Sequence, residues 1–219
     1  MKIMKKLVKW IGNKTLAGTK ILVGKTAIAA EKLLKTFTKV LKKHNIPYWL
    51  EGGTLLGIVR ENRLLPWDND VDISIRKVDV SKLLKILWKL RLRGYRVKVK
   101  YYKKDVGPFK HGDFRIVKIT NRKYLAAKGD ARMDVFLKLK LDNSYYWTVG
   151  IKEPVLKSVP AAFNDNLDWL EFKGQKMMMP KDVEGYLTFR YGDWKTPVKE
   201  YNFKKDDLAI VKPGEKEES

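Results

Sequence analysis

Two aspartates one residue apart, Asp70 and Asp72, stand in the run Trp67-Asp68-Asn69-Asp70-Val71-Asp72-Ile73. Val71, Ile73 and Ile75 alternate with Asp70, Asp72 and Ser74, the pattern of a strand with one polar face. Residues i and i+2 of a strand share a face, so both carboxylates project together, with Cα atoms about 6.5–7 Å apart. Two carboxylates this close repel, and one tends to keep a proton unless a cation joins them. Asp68 can extend the set, although the turn before the strand can also aim it elsewhere. A third ligand is expected at Asp134, in Arg132-Met133-Asp134-Val135-Phe136-Leu137, provided that this strand neighbours the first. Asp113, Asp130 and Asp142 are weaker alternatives. The chain has no cysteine and only two histidines, His44 and His111. Thiolate zinc sites are therefore excluded, a histidine-rich site is not supported, and oxygen ligands point to Mg2+, with Mn2+ as the alternative.

A second element precedes the aspartates. Gly53 of Glu51-Gly52-Gly53-Thr54 lies 17 residues before Asp70. Paired glycines let backbone approach a phosphate, and a following helix N-terminus favours an anion. Thr54 can cap that helix or offer its hydroxyl. A Gly-Gly pair alone is more often a plain turn, and the P-loop pattern is absent. Arg60 and Arg63 lie between the two motifs, Arg115, Lys128 and Arg132 precede or flank Asp134, and Arg190 lies further on. Such residues are by default solvated. His44 reads as a helix-end residue and His111 as a loop residue.

These groups need elements to hold them. A helix is expected over residues 26–43, with Ala30, Leu33, Leu34, Phe37, Val40 and Leu41 as its apolar stripe, ended by Asn45 and Pro47. Tyr48–Leu50 then gives a strand, a glycine turn and a helix. Strands are expected at 71–75, 95–102, 113–120 and 132–141, with helices over 81–92 and from near Pro180 to before Gly192. The C-terminal third, with Pro154, Pro160, Pro180 and Pro197, alternates polar turns with aromatic residues. The whole reads as an α/β or α+β domain with a mixed sheet.

The chain of 219 residues is long enough for one ordinary core. Its formal net charge of +22 implies a polyanionic partner, be it nucleic acid, an anionic membrane or a phosphorylated substrate. Half of that excess falls in residues 1–43. Ile3, Met4, Leu7, Val8 and Ile11 give residues 2–11 an apolar helical face among lysines, with Trp10 at its edge, a pattern suited to an anionic membrane surface or to packing on the domain itself. No run is long enough for a spanning helix, and the recurring lysines interrupt a secretory pattern. The expected organisation is a basic amphipathic segment at 1–25, a catalytic domain at 26–211 and a polar disordered tail at 212–219.

The segments "YWLEGGTLLGIVRENRLLPWDNDVDISI" (48–75), "MDVFLKL" (133–139) and "YLTFRYGDWKTP" (186–197) resemble, in order, the LicD family, which includes the fukutin-related proteins. The resemblance implies an α+β, nucleotidyltransferase-like fold: a mixed β-sheet flanked by helices, here with the basic N-terminal helical segment added. It implies transfer of a phospho-alcohol, such as phosphocholine or ribitol phosphate, from a CDP-linked donor (CDP-choline or CDP-ribitol) to a hydroxyl of a glycan or glycolipid, as in lipopolysaccharide or teichoic acid biosynthesis, with release of CMP. It matches Asp70, Asp72 and Asp134 to the family's aspartates, Gly52 and Gly53 to its double glycine, and Arg60 and Arg190 to its arginines. The mechanism expected is direct displacement: Asp70, Asp72 and Asp134 hold the metal and serve catalysis, Gly52, Gly53 and Thr54, with Arg60 and Arg190, hold the donor, and Asp134 also accepts the acceptor's proton. Asp193 matches a position of less certain role, and Glu51 is placed to touch the donor alcohol. Many relatives carry three consecutive aspartates where this chain has Asp68-Asn69-Asp70; Asn69 should face away from the pair.

Three other readings remain. An enzyme passing a nucleotidyl group from an NTP to a sugar, small molecule or RNA would use the same metal logic and release pyrophosphate. A basic nucleic-acid-binding module would suit the charge but not the aspartates, so nucleic acid is the least favoured partner. A decayed enzyme that only binds donor or membrane would not need the intact glycines and aspartates. The expected location is the cytoplasm, peripheral on the inner membrane face.

Overall fold

The computed structural model describes residues 21–123, 127–150, 153–198 and 201–212. Residues 2–11, most of the basic segment and nearly all of the 212–219 tail lie outside the described residues. In chain order the elements are α1 (Gly24–Lys43), β1 (Trp49–Leu50), α2 (Gly52–Glu61), β2 (Val71–Arg76), a 3-10 turn (Lys77–Asp79), α3 (Val80–Leu92), β3 (Arg96–Tyr101), β4 (Phe114–Lys123), β5 (Ala127–Leu141), β6 (Ser144–Val149), β7 (Val155–Pro160), α4 (Ala161–Asp165), β8 (Leu167–Phe172), β9 (Gln175–Pro180) and α5 (Val183–Tyr191). The architecture is α+β, with a mixed sheet flanked by helices.

The sheet runs β1-β2-β5-β4-β3, and β6 and β7 extend it from the far end of β5. Among the described residues only β2 and β5 pair in parallel. That pairing requires a long crossover, and α3, β3 and β4 supply it. Alternation along the central strands decides the two faces. Val71, Ile73, Met133, Val135, Val117 and Ile119 are fully buried on one face, where α1 packs on β5 and α3 on β3. The α1 stripe of Ala30, Leu33, Leu34, Phe37 and Leu41 is wholly buried there, each large side chain contributing about 1.5–3 kcal/mol. The opposite face carries the polar residues of β2, β5, β4 and β3.

Four strands, β6 to β9, have no counterpart in the sequence reading. β8 and β9 form a hairpin of their own that sends Phe172 and Met177 into the core. It is tied to α1 by Gln175 Nε2 on Thr38 Oγ1, 2.7 Å away. Residues 207–211 close over the edge of β7 through Ser158 N to Ala209 O and Val211 N to Leu156 O. Among the described residues no helix is long and apolar enough to cross a membrane.

Candidate functional site

The pairing of β2 with β5 sets Asp72 directly beside Asp134. Asp70 enters from the turn just before β2. Each of the three offers a carboxylate oxygen, and these oxygens lie within 4.8 Å of one another. This is a set that could hold one metal ion, entirely of oxygen donors. Asp68 joins as a fourth carboxylate, hydrogen-bonded to Asp70, with its Oδ1 accepting from Asn69 N at 2.8 Å.

Burial is the first cause that raises the Asp70 and Asp72 carboxyls, and their neighbours' charges add to it. Asp70 is pushed up to about 8, by burial and then by Asp68 and Asp134. Asp72 is pushed well above the usual carboxylate range by burial, then by Asp70 and Asp134. Opposing them is Lys118 on β4, whose Nζ donates to Asp134 Oδ2. Lys118 stands directly opposite Asp134 in the β4–β5 register. One ammonium among four carboxylates leaves a deficit of positive charge that a divalent cation would fill.

The glycines meet the carboxylates first. Gly52 begins α2 at φ +57°, and a Cβ there would lie 3.1 Å from Asp72 Oδ2. At Gly53 a Cβ would come within 3.0 Å of Asp68 Oδ2, closer than side chains tolerate. Both positions must be bare for the helix N-terminus to sit against the acidic cluster. Thr54 is 2 % exposed and neither caps α2 nor faces solvent. Its Oγ1 accepts from Asp72 N at 2.8 Å, fixing the main chain that carries this carboxylate of the cluster.

Arg190 and Glu51 are placed differently from the expectation. Arg190 is 3 % exposed. Its Nε and Nη2 donate to Asp207 at 2.8 and 2.6 Å, and its Nη1 donates to Glu51 Oε1 at 2.5 Å and to Tyr186 Oη at 2.9 Å. With four of its five N–H groups engaged, it supports the site from behind and has no open face for a phosphate. Glu51 is equally enclosed, accepting from Trp49 Nε1, Ser74 Oγ, Tyr186 Oη and Lys138 Nζ, so it does not reach a donor alcohol. Burial alone would raise the Glu51 carboxyl, but the Lys138 and Arg190 charges outweigh it and hold it well below its ordinary value. Lys138, sealed between Glu51 and the Trp147 ring 3.7 Å away, is lowered to about 8, chiefly by burial.

Arg60 stands nearer the expectation. Its Nε and Nη2 donate to Glu61 and its Nη1 donates to Trp194 O at 3.1 Å, which leaves one N–H on each Nη. Arg63 pairs with Glu61 on the surface. Arg115 donates to Thr148 and Gly150. Asp113 pairs with Lys77, Asp142 sits in an exposed turn, and Asp193 is exposed. His44 caps α1 against Lys89, and exposed His111 offers its backbone N to Asp105. None of these joins the carboxylate cluster. Lys118, Lys138, Tyr186 and Asp207 were not singled out in the sequence. Lys118 alternates with valine and isoleucine in Ile116–Ile119, so its polar face was readable, but its partner was not.

The family described as LicD/FKTN/FKRP, nucleotidyltransferase domain, matches residues 45–182. The ribitol-5-phosphate transferase FKTN of Homo sapiens is 28% identical over 189 residues, 85% of this chain and 37% of that protein. The lipopolysaccharide cholinephosphotransferase LicD of Haemophilus influenzae is 30% identical over 54 residues, 25% of this chain and 20% of that protein. The crystal structure of ANT(2")-Ia in complex with adenylyl-2"-tobramycin matches with a TM-score of 0.41 and 17% identity, covering 71% of this chain and 75% of the other. The chain thus spans little more than a third of the length of the human relative.

Proposed function

Because the chain belongs to the LicD/FKTN/FKRP nucleotidyltransferase-domain family, we propose that it is a metal-dependent transferase. It moves a phospho-alcohol from a CDP-linked donor to a hydroxyl of a glycan or glycolipid and releases CMP. The observation that carries this reading is the side-by-side placement of Asp72 and Asp134, with Asp70 joining them within 4.8 Å.

The residues fit a divalent cation: three converging oxygen donors, a fourth carboxylate beside them and one ammonium to offset them. Asp70, Asp72 and Asp134 would hold Mg2+ or Mn2+, which supplies charge neutralisation at the donor phosphates. The first-turn N–H groups of α2 at Gly52 and Gly53, unpaired within the helix, take the phosphate oxygens. Thr54 acts through Asp72, and Arg60 offers its remaining N–H groups to the donor. Arg190 and Glu51 keep α2, β2 and α5 in register behind the site. The acceptor oxygen bonds to the phosphorus bearing the alcohol as the bond to the CMP oxygen breaks, and Asp134 takes the hydroxyl proton. Alignment and charge stabilisation carry most of the acceleration. Residues 1–25 hold the enzyme peripherally at the inner face of an anionic membrane.

The test is the nucleotide product. Offered CDP-choline, CDP-ribitol, CDP-glycerol, CTP and ATP with Mg2+ and mixed glycan acceptors, the enzyme should release CMP from one CDP-alcohol. Pyrophosphate from an NTP, with all CDP-alcohols inert, would replace this reading with nucleotidyl transfer.

A further inference from the structure

The helix layer carries a charge pattern of its own, on the side of the sheet away from the carboxylate cluster. While α1 buries its leucine stripe, it turns Lys25, Ile28, Lys32, Lys39 and Lys43 outward, all exposed and set at helical intervals along one face. In the same way α3 turns out Ser81, Lys85, Trp88 and Leu92. No acidic residue occurs in α3. The single one in α1, Glu31, accepts from Lys173 Nζ, and Asp79, just ahead of α3, is buried and pairs with Lys82. Lys25, Lys32, Lys39, Lys43 and Lys85 form no ion pair among the described residues. The two helices adjoin. His44 Nε2 at the end of α1 lies 2.8 Å from Lys89 Nζ, and Tyr95 Oη, just past α3, lies 3.5 Å from Thr36 Oγ1. Their outward faces therefore form one basic surface.

An amphipathic helix on a soluble domain turns its polar side to water. Here Ile28 is 67 % exposed, Trp88 51 % and Leu92 77 %. Trp88 and Leu92 stand one turn apart and side by side, with Lys85 before them and Arg91 and Arg93 next to them, both exposed. A single exposed apolar residue carries no meaning. Indole and leucine set among unpaired cations are the composition of an interfacial helix, and an indole suits the boundary between water and acyl chains.

We propose that the outer face of α1 and α3 docks the folded domain on an anionic lipid bilayer, with Ile28, Trp88 and Leu92 entering the headgroup layer and the lysines meeting lipid phosphates. Apolar residues spread over two convex helices, rather than gathered in a pocket, suit a fluid surface better than a protein partner. Docking there leaves the carboxylate cluster uncovered on the far side of the sheet. The surface lies within α1 and α3, beyond the basic segment assigned to the membrane above, and it does not depend on the transfer reading.

The chain has no cysteine, so Leu92→Cys in the full chain supplies one thiol for an environment-sensitive fluorophore. Lys98→Cys supplies the control, since Lys98 is exposed and stands opposite Lys118 on the polar face of the sheet. The probes are vesicles of phosphatidylglycerol and phosphatidylcholine in equal parts, beside vesicles of phosphatidylcholine alone. The label at position 92 should shift to the blue on the anionic vesicles only, and the label at position 98 should not respond. In vesicle sedimentation the full-length variants K32Q/K39Q on α1 and K85Q/W88S on α3 should each bind about tenfold or more weakly than the wild type, with unchanged Tm, and wild-type binding should fall with salt. Because the two variants lie on different helices, a folding defect in one leaves the other as the test. Vesicle binding with a silent label at position 92 would assign the bilayer to another surface and overturn the proposal. So would equal binding by the wild type and both variants, or no binding at all. A response at position 92 to single-stranded RNA but not to vesicles would make the occupant a nucleic acid and overturn it as well.

Discussion

Asp72 and Asp134 are register neighbours on the one parallel strand pair of the described sheet, so strand pairing sets two carboxylates side by side. Thr54 Oγ1 accepts the Asp72 N–H from the other side. The arrangement spends folding stability on repulsion, which a bound cation would offset.

Replacing Asp72 with Asn should therefore stabilise the metal-free protein, by about 1–2 kcal/mol or about 2–8 °C in Tm, while abolishing the Tm increase on adding Mg2+ or Mn2+. Differential scanning fluorimetry with and without EDTA reads both. A fall in the metal-free Tm of the variant would mean that the carboxylate is held by favourable contacts.

The metal response should depend on pH in one direction. Asp70 is raised from 3.8 to about 8, by burial first and by Asp68 and Asp134 next. A raised carboxyl binds its proton more tightly folded than unfolded, so its contribution is complete below the ordinary value and is lost as pH rises through about 8. A cation must displace that proton. The Mg2+-induced Tm increase should be large at about pH 8.5 and should shrink toward about pH 6, with apparent affinity falling about tenfold per unit for one proton displaced. A response equal at both values would place the cation elsewhere.

Gly53→Ala should act through Asp68. The added Cβ would fall within 3.0 Å of Asp68 Oδ2, so either the carboxylate or the start of α2 must move. Loss of the metal response with a Tm change of only about 2–4 °C, roughly 1 kcal/mol, is the expected result, measured by calorimetric Mn2+ titration. Unchanged Mn2+ affinity would show that Asp68 and the α2 N-terminus play no part in the site.

Much of this geometry was readable before the fold was known. Alternation of Asp70 and Asp72 with valine and isoleucine announced a polar strand face, and the same alternation marked Asp134 on β5. Their adjacency was a condition rather than a reading, because strand order belongs to the crossover through α3, β3 and β4. Lys118 could not be paired with Asp134 without the antiparallel register. Glu51 and Arg190 looked like ligand contacts because both sit in distinctive motifs, yet their ion pair spans 139 residues. Asp207, their third partner, lies in a lysine-rich stretch with no periodicity. The β8–β9 hairpin escaped notice because Leu-Asp-Trp-Leu-Glu-Phe and Gln-Lys-Met-Met-Met-Pro alternate weakly.

The buried ion network predicts its own signature. Glu51→Gln leaves Lys138 and Arg190 short of a counter-charge and should cost about 3–5 kcal/mol, lowering Tm by about 6–20 °C. Adding Lys138→Met should recover part of that loss, which a double-mutant cycle in urea would quantify. The Glu51 and Asp207 carboxyls are both held below their ordinary values, against burial, by Lys138 and Arg190 in one case and by Arg190 and Lys157 in the other. Their contribution is present above the ordinary carboxyl range and is lost as pH falls below about 4. Strict additivity of the two substitutions would contradict the pairing.

The most direct measurement is equilibrium Mn2+ binding by electron paramagnetic resonance, on the same preparations of wild type, Asp72→Asn and Asp134→Asn whose CMP release is timed with the CDP-alcohol donors. The wild type should bind Mn2+ at least about tenfold more tightly than either variant, with CMP release lost in both variants and in EDTA. Mn2+ binding that survives both substitutions, or CMP release that survives EDTA, would contradict the claim that Asp70, Asp72 and Asp134 hold the metal on which the transfer depends.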